Sequence, residues 1–189
     1  VPEALYSANQ GEMYIDRMRP AHQYSAIAVG PGIGTNETTL RALEELLLSS
    51  KSPIILDADA LNCIAMKPTM LNSLPMLSII TPHAGEFDRL FGPHASMEAR
   101  LRKACEVARH YHILIVLKGH YTSIIRPDGK IYFNSSGTPA MATPGSGDVL
   151  TGMLASFMAQ GYKSEIATLL AVFLHGLAGE IAAEEHGDY

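Results

Sequence analysis

N-S-S-G-T-P-A-M-A-T-P-G-S-G-D-V-L-T, residues 134–151, decides how this chain is read. Gly145, Ser146 and Gly147 make a small turn, and the acid Asp148 follows at once. Leu150, Met153, Leu154, Phe157 and Met158 then recur at i, i+3, i+4, i+7 and i+8, the spacing of an amphipathic helix. Glycines just ahead of a helix let backbone N–H groups converge on one point. The helix N-terminus adds partial positive charge there, and the combination binds phosphate oxygens. Asp148 has two readings at this stage. Acids favour the first helical turn, so it can be a dipole partner only. Beside a phosphate site, an acid also stands where a nucleophilic hydroxyl needs a base.

Working outward, the chain alternates short apolar runs with helical patterns. Residues 26–29 read as a buried strand; Asn36 then caps a helix with Glu37 in its first turn and Leu40, Leu43 and Leu47 as its stripe. Strands are expected at 53–56, 77–80 and 113–117, and helices at 60–66, at 86–91 and after the cap Ser96, where Leu101, Ala104, Cys105 and Ala108 share a face. Residues 122–125 and 130–133 form a hairpin around Asp128-Gly129. The helix after the quoted stretch ends near Gly161. A last helix spans 163–185, with Ile166, Leu169, Leu170, Phe173, Leu174, Leu177 and Ile181 along one face, and with Ala171, Ala178 and Gly179 admitting a close neighbour. This order predicts an α/β fold: a mostly parallel central sheet, helices on both faces, and a β-hairpin near the phosphate site. Ligands in such folds bind beyond the carboxyl ends of the strands. The polar clusters sit there, at 30–34, 57–62, 81–86 and 118–122.

Each cluster admits a plain reading beside a functional one. Gly30-Pro31-Gly32-Ile33-Gly34 lacks the third glycine of a dinucleotide fingerprint, because Thr35 stands there, and no Gly-Lys-Ser/Thr follows for a P-loop. A tight turn remains, or a loop that brings substrate close to backbone. Asp57 and Asp59 are caps, or groups for a metal or phosphate-bound water. His83, between a strand end and a helix start, is structural or part of a site. Lys118, at the ligand edge, points to a phosphate or nucleotide contact rather than a solvated charge. The remaining histidines, His175 among them, show no ligand spacing and receive no role.

Composition narrows the function classes. The 189 residues are 47% hydrophobic and 17% charged, an ordinary globular balance. The net charge of −5 argues against nucleic acid. Cys63 and Cys105 lack metal-ligand spacing and read as reduced thiols of a cytoplasmic protein. No uninterrupted apolar run of ~18 residues occurs, so neither a transmembrane helix nor a membrane partner is expected. The stretch up to Tyr24 is weakly patterned, with Met13, Ile15 and Met18 available to pack against the body. The expectation is a single domain over 1–189 that lacks an N-terminal segment. Its sheet would carry an open edge, favouring a homo-oligomer or pairing with the missing segment.

Taken together in this order, the Gly30 to Gly34 run, D-A-D-A-L-N at 57–62, T-P-H-A-G-E at 81–86, L-K-G at 117–119 and M-A-T-P-G-S-G-D at 141–148 resemble the ADP/ATP-dependent NAD(P)H-hydrate dehydratases of the ribokinase-like superfamily. H-G-L-A-G at 175–179 resembles the family's last helix. The chain departs from the family pattern at Ala84, Thr138 and Ser146, where Pro, Asn and Thr are usual, and at the bulkier His120-Tyr121. The resemblance implies repair of NADH or NADPH hydrated on its nicotinamide ring. The ring hydroxyl is phosphorylated from ADP (or ATP), and phosphate is then eliminated. It implies Asp148 as base, and Gly145, Ser146 and Gly147 as anion hole. Lys118, Gly119, His120, Tyr121 and Thr122, with Gly147, would hold the nucleotide. Gly32, Gly34, His83 and Asp148 would hold the hydrated cofactor. Asp57, Asp59, Asn62 and Asn134 are secondary candidates. Mg²⁺ would be held mainly by phosphates, with no protein ligands assigned. A tetramer is implied as well. The competing reading is a ribokinase-like kinase of a small alcohol or vitamin precursor; such kinases more often carry D-T-x-G-A-G-D, against A-T-P-G-S-G-D here at 142–148.

Overall fold

The computed structural model describes residues 15–18 and 21–187. Among the described residues, six strands form one sheet: β1 (Ala28–Val29), β2 (Ile55–Leu56), β3 (Ile79–Ile80), β4 (Leu114–Leu117), β5 (Ser123–Ile125) and β6 (Ile131–Phe133), side by side in chain order. The first four run parallel, with Val29, Leu56 and Ile80 in register, and β4, β5 and β6 are antiparallel. The mostly parallel sheet and its hairpin are as the sequence predicts. The paired portions are shorter than the apolar runs, although flanking residues such as Ile27, Ile54, Ser78 and Thr81 still exchange hydrogen bonds with the neighbouring strand.

Helices α1 (Glu37–Ser49), α2 (Ala58–Met66), α3 (Ala84–Phe91) and α4 (Met97–Tyr111) precede the hairpin or its first strand, and α5 (Ser146–Ala159) and α6 (Ser164–His186) follow it. Asn36 and Ser96 cap α1 and α4 through their side chains, as expected. Helices α2 and α3 begin two residues earlier than the apolar pattern suggests, because Asp57 and His83 are themselves the N-caps. Successive strand residues point to opposite faces of a sheet. Leu56, Ile80 and Ile115 thus join a core with α1 to α4, where Leu43 and Phe87 are fully buried. Ile55, Ile79, Leu114 and Val116 join a smaller core with Leu150 and Leu154 of α5 and Ala171 and Val172 of α6. Met18 packs against the larger core; Met13 lies outside the described residues.

Helix α6 corrects the sequence reading in two ways. Most of its large apolar residues do not face inward, although Leu169 packs against the smaller core. Ile166, Phe173, Leu174, Leu177 and Ile181 are exposed, while Ser164, Ala167, Thr168, Ala171, Val172 and Gly176 are buried. Small residues allow the close contact the site requires: a Cβ on Gly176 would lie 2.3 Å from the Ser136 hydroxyl oxygen, and one on Gly179 would lie 2.3 Å from the Met141 sulfur. By length and composition alone, α6 is also apolar enough to cross a bilayer, which a search for one uninterrupted apolar run does not register. In this fold its inward side is core.

The parallel strands all end at the same edge of the sheet. There Gly30 has φ +146°, and a Cβ on it would sit 1.7 Å from the Asp57 carbonyl oxygen. Only glycine lets the 30–34 loop lie directly on the end of β2.

Candidate functional site

Helix α5 aims its N-terminus at this edge. Gly145, its N-cap, is left-handed at φ +90°, which turns the chain into the helix. The first intrahelical bond runs from the Val149 N–H to the Gly145 carbonyl, 3.1 Å. The Ser146 N–H is engaged by Thr143 O at 3.3 Å. The N–H groups of Gly147 and Asp148 belong to the first turn and have no intrahelical acceptor. Unpaired N–H groups at a helix start are chemically suited to hold an anion.

Lys118, just past β4, supplies positive charge beside it. Its Nζ lies 2.8 Å from Asp57 Oδ1, and Asp57 is 1% exposed at the end of β2. The other carboxylate oxygen accepts a 2.8 Å hydrogen bond from Thr151 Oγ1 of α5. One buried carboxylate therefore ties β2, β4 and α5 together. A Cβ on Gly147 would meet Lys118 Nζ at 3.5 Å and Asp57 Oδ2 at 3.7 Å, so the ammonium stands next to the Gly147 backbone.

These groups open onto a cavity of 490 Å³ whose wall includes His83, Lys118, Gly119, His120, Thr122, Asn134, Ser146, Gly147 and His175. Three side chains on that wall shape it. Asn134 Nδ2 donates to Ser136 O (2.9 Å), Ser136 Oγ (3.0 Å) and Val172 O (3.3 Å), which straps the loop after β6 onto α6. His83 Nδ1 accepts from the N–H groups of Gly85 (3.0 Å) and Glu86 (3.3 Å), and Glu86 Oε2 accepts from the His83 N–H at 2.8 Å, a reciprocal cap. His175 Nε2 lies 3.3 Å from Ser146 Oγ. Burial lowers the His175 pKa below the ordinary histidine value; a hydrogen bond to the Ser146 backbone opposes this and the Lys118 charge adds to it, which favours the neutral imidazole.

Not every expected residue meets the cavity. Tyr121 is 65% exposed and stacks edge-on against His120, ring centroids 4.4 Å apart, in a separate shallow hollow with Met97 and Phe133. Gly32 and Gly34 lie at the end of β1, outside the wall. The Gly34 N–H donates to Asp59 Oδ2 at 3.0 Å, Asn62 Nδ2 donates to Asp59 Oδ1 at 3.1 Å, and Arg89 bonds Asn62 Oδ1. Asp59 and Asn62 thus stitch the 30–34 loop to α2 and α3. Asp148 is exposed and off the cavity wall. Consecutive helical residues differ by ~100° of rotation, so Gly147 faces the cavity while Asp148 flanks it on the next side of α5.

Sequence reasoning assigned no role to His175 or to the loop residues Ser136 and Gly137. The signal that was available is Gly176, a glycine in mid-helix whose absent side chain lets that loop touch α6. Among the described residues, no group of three or more His, Cys, Asp or Glu is placed to hold a metal.

The model of the Carb_kinase family, NAD(P)H-hydrate dehydratase, matches residues 2–189. This chain belongs to that family. It is 36% identical over 98% of its length to the ADP-dependent (S)-NAD(P)H-hydrate dehydratase of Bacillus subtilis, of which it covers 66%. It is 44% identical over 85% of its length to the bifunctional NAD(P)H-hydrate repair enzyme Nnr of Thermofilum pendens, covering 31% of that protein. The crystal structure of the Bacillus subtilis ADP/ATP-dependent NAD(P)H-hydrate dehydratase co-crystallized with ATP/Mg²⁺ superposes with a TM-score of 0.76 at 35% identity, covering 94% of this chain and 61% of that one. Hydroxyethylthiazole kinase of Pyrococcus horikoshii, with a TM-score of 0.72 at 18% identity, shares the fold alone. The fold is ribokinase-like. The chain spans less than two thirds of the Bacillus subtilis structure and about a third of the bifunctional relative.

Proposed function

We propose that this chain dehydrates hydrated NADH and NADPH back to NAD(P)H, with ADP or ATP as phosphoryl donor. The observation that carries the reading is the start of α5, whose Gly147 and Asp148 N–H groups have no intrahelical acceptor, with a cavity bearing Lys118 on one side and Asp148 on the other. A cavity of 490 Å³ with a helix N-terminus and the Lys118 ammonium on its wall fits a nucleotide whose phosphates reach Gly147. Bound there, the nucleotide supplies the phosphoryl group that turns the ring hydroxyl into a leaving group. Mg²⁺, held through the phosphates, shares their charge.

The residues divide the work by position. Lys118, Gly119, His120 and Thr122 hold the nucleotide from the cavity wall, with Tyr121 at its rim. The N–H groups of Gly147 and Asp148 hold the transferred phosphate, with Gly145 setting the turn and Ser146 its first residue. The Asp148 carboxylate takes the hydroxyl proton from the flank, and Gly32 and Gly34 of the 30–34 loop hold the hydrated cofactor. His83 stands on the cavity wall and holds the start of α3. Asn134 shapes the cavity wall from within it, and Asp57, Asp59 and Asn62 brace the surrounding loops and helices from behind.

The test supplies hydrated NADH together with ADP or ATP and, in parallel, a panel of small vitamin alcohols. Recovery of NADH with matching release of phosphate and AMP (or ADP) is expected. Phosphorylated alcohol without recovered NADH would make the chain a kinase instead.

We also propose a cytoplasmic homo-oligomer, a tetramer by preference. The exposed apolar side of α6 supports association, as does β1, which pairs only with β2 among the described residues. Cys63 and Cys105 are both free thiols, in keeping with a reducing compartment. Sedimentation of the full chain checks the assembly; a monomer with full activity would sink it.

A further inference from the structure

We propose that His175 is a positioning residue that makes the Ser146 hydroxyl a donor to the bound nucleotide's phosphate. The inference rests on the nucleotide reading of the cavity and adds a residue to it.

Ser146 Oγ lies at the first residue of α5, on the cavity wall and beside the free N–H groups of Gly147 and Asp148. A hydroxyl has one proton to give. If that proton goes to His175 Nε2, 3.3 Å away, the oxygen turns lone pairs toward the anion site and repels phosphate. If His175 carries its proton on Nε2 and donates to Ser146 Oγ, the hydroxyl proton is free to point at a phosphate oxygen. A neutral imidazole has both tautomers available, and a bound anion selects the second. The result is a relay, His175 N–H to Ser146 O–H to phosphate, which supplements the backbone donors.

The setting holds His175 in place for this. Its neighbour Gly176 lies against the backbone of Ser136, where a Cβ would be 2.8 Å from the Ser136 carbonyl carbon. Ser136 Oγ donates to the Phe173 carbonyl at 2.9 Å, and the Gly137 N–H donates to Glu180 Oε1 at 2.8 Å. These contacts on both sides of His175 fix the register of α6 against the loop. Serine gains more from an orienting partner than a β-branched residue does, because its hydroxyl rotates freely among χ1 wells.

The experiment measures ADP and adenosine binding by calorimetry on the full chain and on His175→Ala, His175→Gln, His175→Asn, Ser146→Ala and the His175→Ala/Ser146→Ala pair. A glutamine amide nitrogen reaches the place of Nε2, and asparagine's reaches only that of Nδ1. His175→Ala and Ser146→Ala should each weaken ADP about 10-fold, the scale of one hydrogen bond to a charged group. The pair should weaken it no further than either change alone. His175→Gln should restore most of the affinity and His175→Asn should not. Adenosine, which carries no phosphate, should bind all variants alike. Additive losses, a Gln variant as weak as the Ala variant, or equal losses for adenosine and ADP would each overturn the inference and leave His175 a packing residue. If the unmodified chain binds neither ADP nor ATP, the nucleotide reading falls, and this inference with it.

Discussion

The two faces of the sheet are built to different standards. Under α1 to α4 lies one continuous core from Val29 to Ile125, with Leu43, Leu47, Ile64 and Phe87 all but inaccessible. Under α5 and α6 the core is small, and the outer side of α6 presents Phe173 and Ile181 to solvent. The charged chemistry differs in the same way. On the first face Asp88 of α3 is clamped by Arg100 of α4, Oδ2 to Nη2 2.7 Å, with His94 on Oδ1 at 2.9 Å. On the second, Asp57 joins Lys118 to Thr151 directly beneath the first turn of α5. The first face stores stability, and the second spends its packing on holding polar groups at an open edge. Substitutions on the two faces should therefore part: one set unfolds the protein without touching the site, the other disables the site in a folded protein.

The largest effect is expected at Asp148. Asp148→Asn keeps the shape of the α5 start but cannot take a proton, so turnover should fall ~10²–10⁴-fold. ADP affinity should hold, because the N–H donors and Lys118 remain. A side chain acting only as dipole partner predicts near-normal rates and a stability loss of ~0.3–1 kcal/mol. Steady-state phosphate release and ADP titration on the same variant separate these outcomes.

Phe87→Ala probes the other face. Phe87 is fully buried and packs on Phe91 with ring centroids 4.8 Å apart. Truncation should remove about 3–5 kcal/mol, read by urea unfolding, with ADP affinity per folded molecule unchanged. A shift in that affinity would show that the faces are not independent.

Lys118→Met lies between the two cases. It removes a phosphate contact and also leaves the Asp57 carboxylate buried without its cation, a loss of about 2–3 kcal/mol given that Lys118 is itself 23% exposed. Adding Asp57→Asn removes the stranded charge. The double variant should regain stability but not ADP binding. Recovery of both would demote Lys118 from the site.

The same contrast marks what the sequence could convey. The closed face was legible because its signals are local. Asn36 and Ser96 cap within three residues of their partners, and the leucines of α1 repeat at helical spacing. Strand ends were legible because glycines, acids and prolines interrupt apolar runs there. The open face was read less well. Helix α6 is apolar nearly all round, so its periodicity did not say which side faces in; steric demands at Gly176 and Gly179 decide that, and they come from a loop far away in sequence. His175 meets Ser146 across a separation of 29 residues, and no spacing rule reaches that far. Asp57 and Asp59 looked alike in sequence, yet one is buried behind the anion site and the other braces the Gly34 turn.

The smallest expected effect tests whether the Asp88 clamp is structural only. The Arg100 hydrogen bond, helped by His94, lowers the Asp88 pKa from 3.8 to about 2. A carboxyl with a depressed folded-state pKa contributes stability that is present above its unfolded value and is lost as pH falls through the folded one. The contribution should thus be intact above pH ~4 and gone below pH ~2. With the side chain 26% exposed, solvent screening trims it to about 1 kcal/mol. Asp88→Asn lacks this contribution at neutral pH. Its stability should approach that of the unmodified chain as pH drops from ~4 to ~2, the gap closing by about 1 kcal/mol in urea unfolding. Other carboxyls titrate in the same window, but they do so in both proteins and cancel in the difference. A gap that stays constant with pH would mean that Asp88 contributes through packing and hydrogen-bond geometry rather than charge. A change in neutral-pH ADP affinity in this variant would show that the clamp on the closed face is coupled to the site after all.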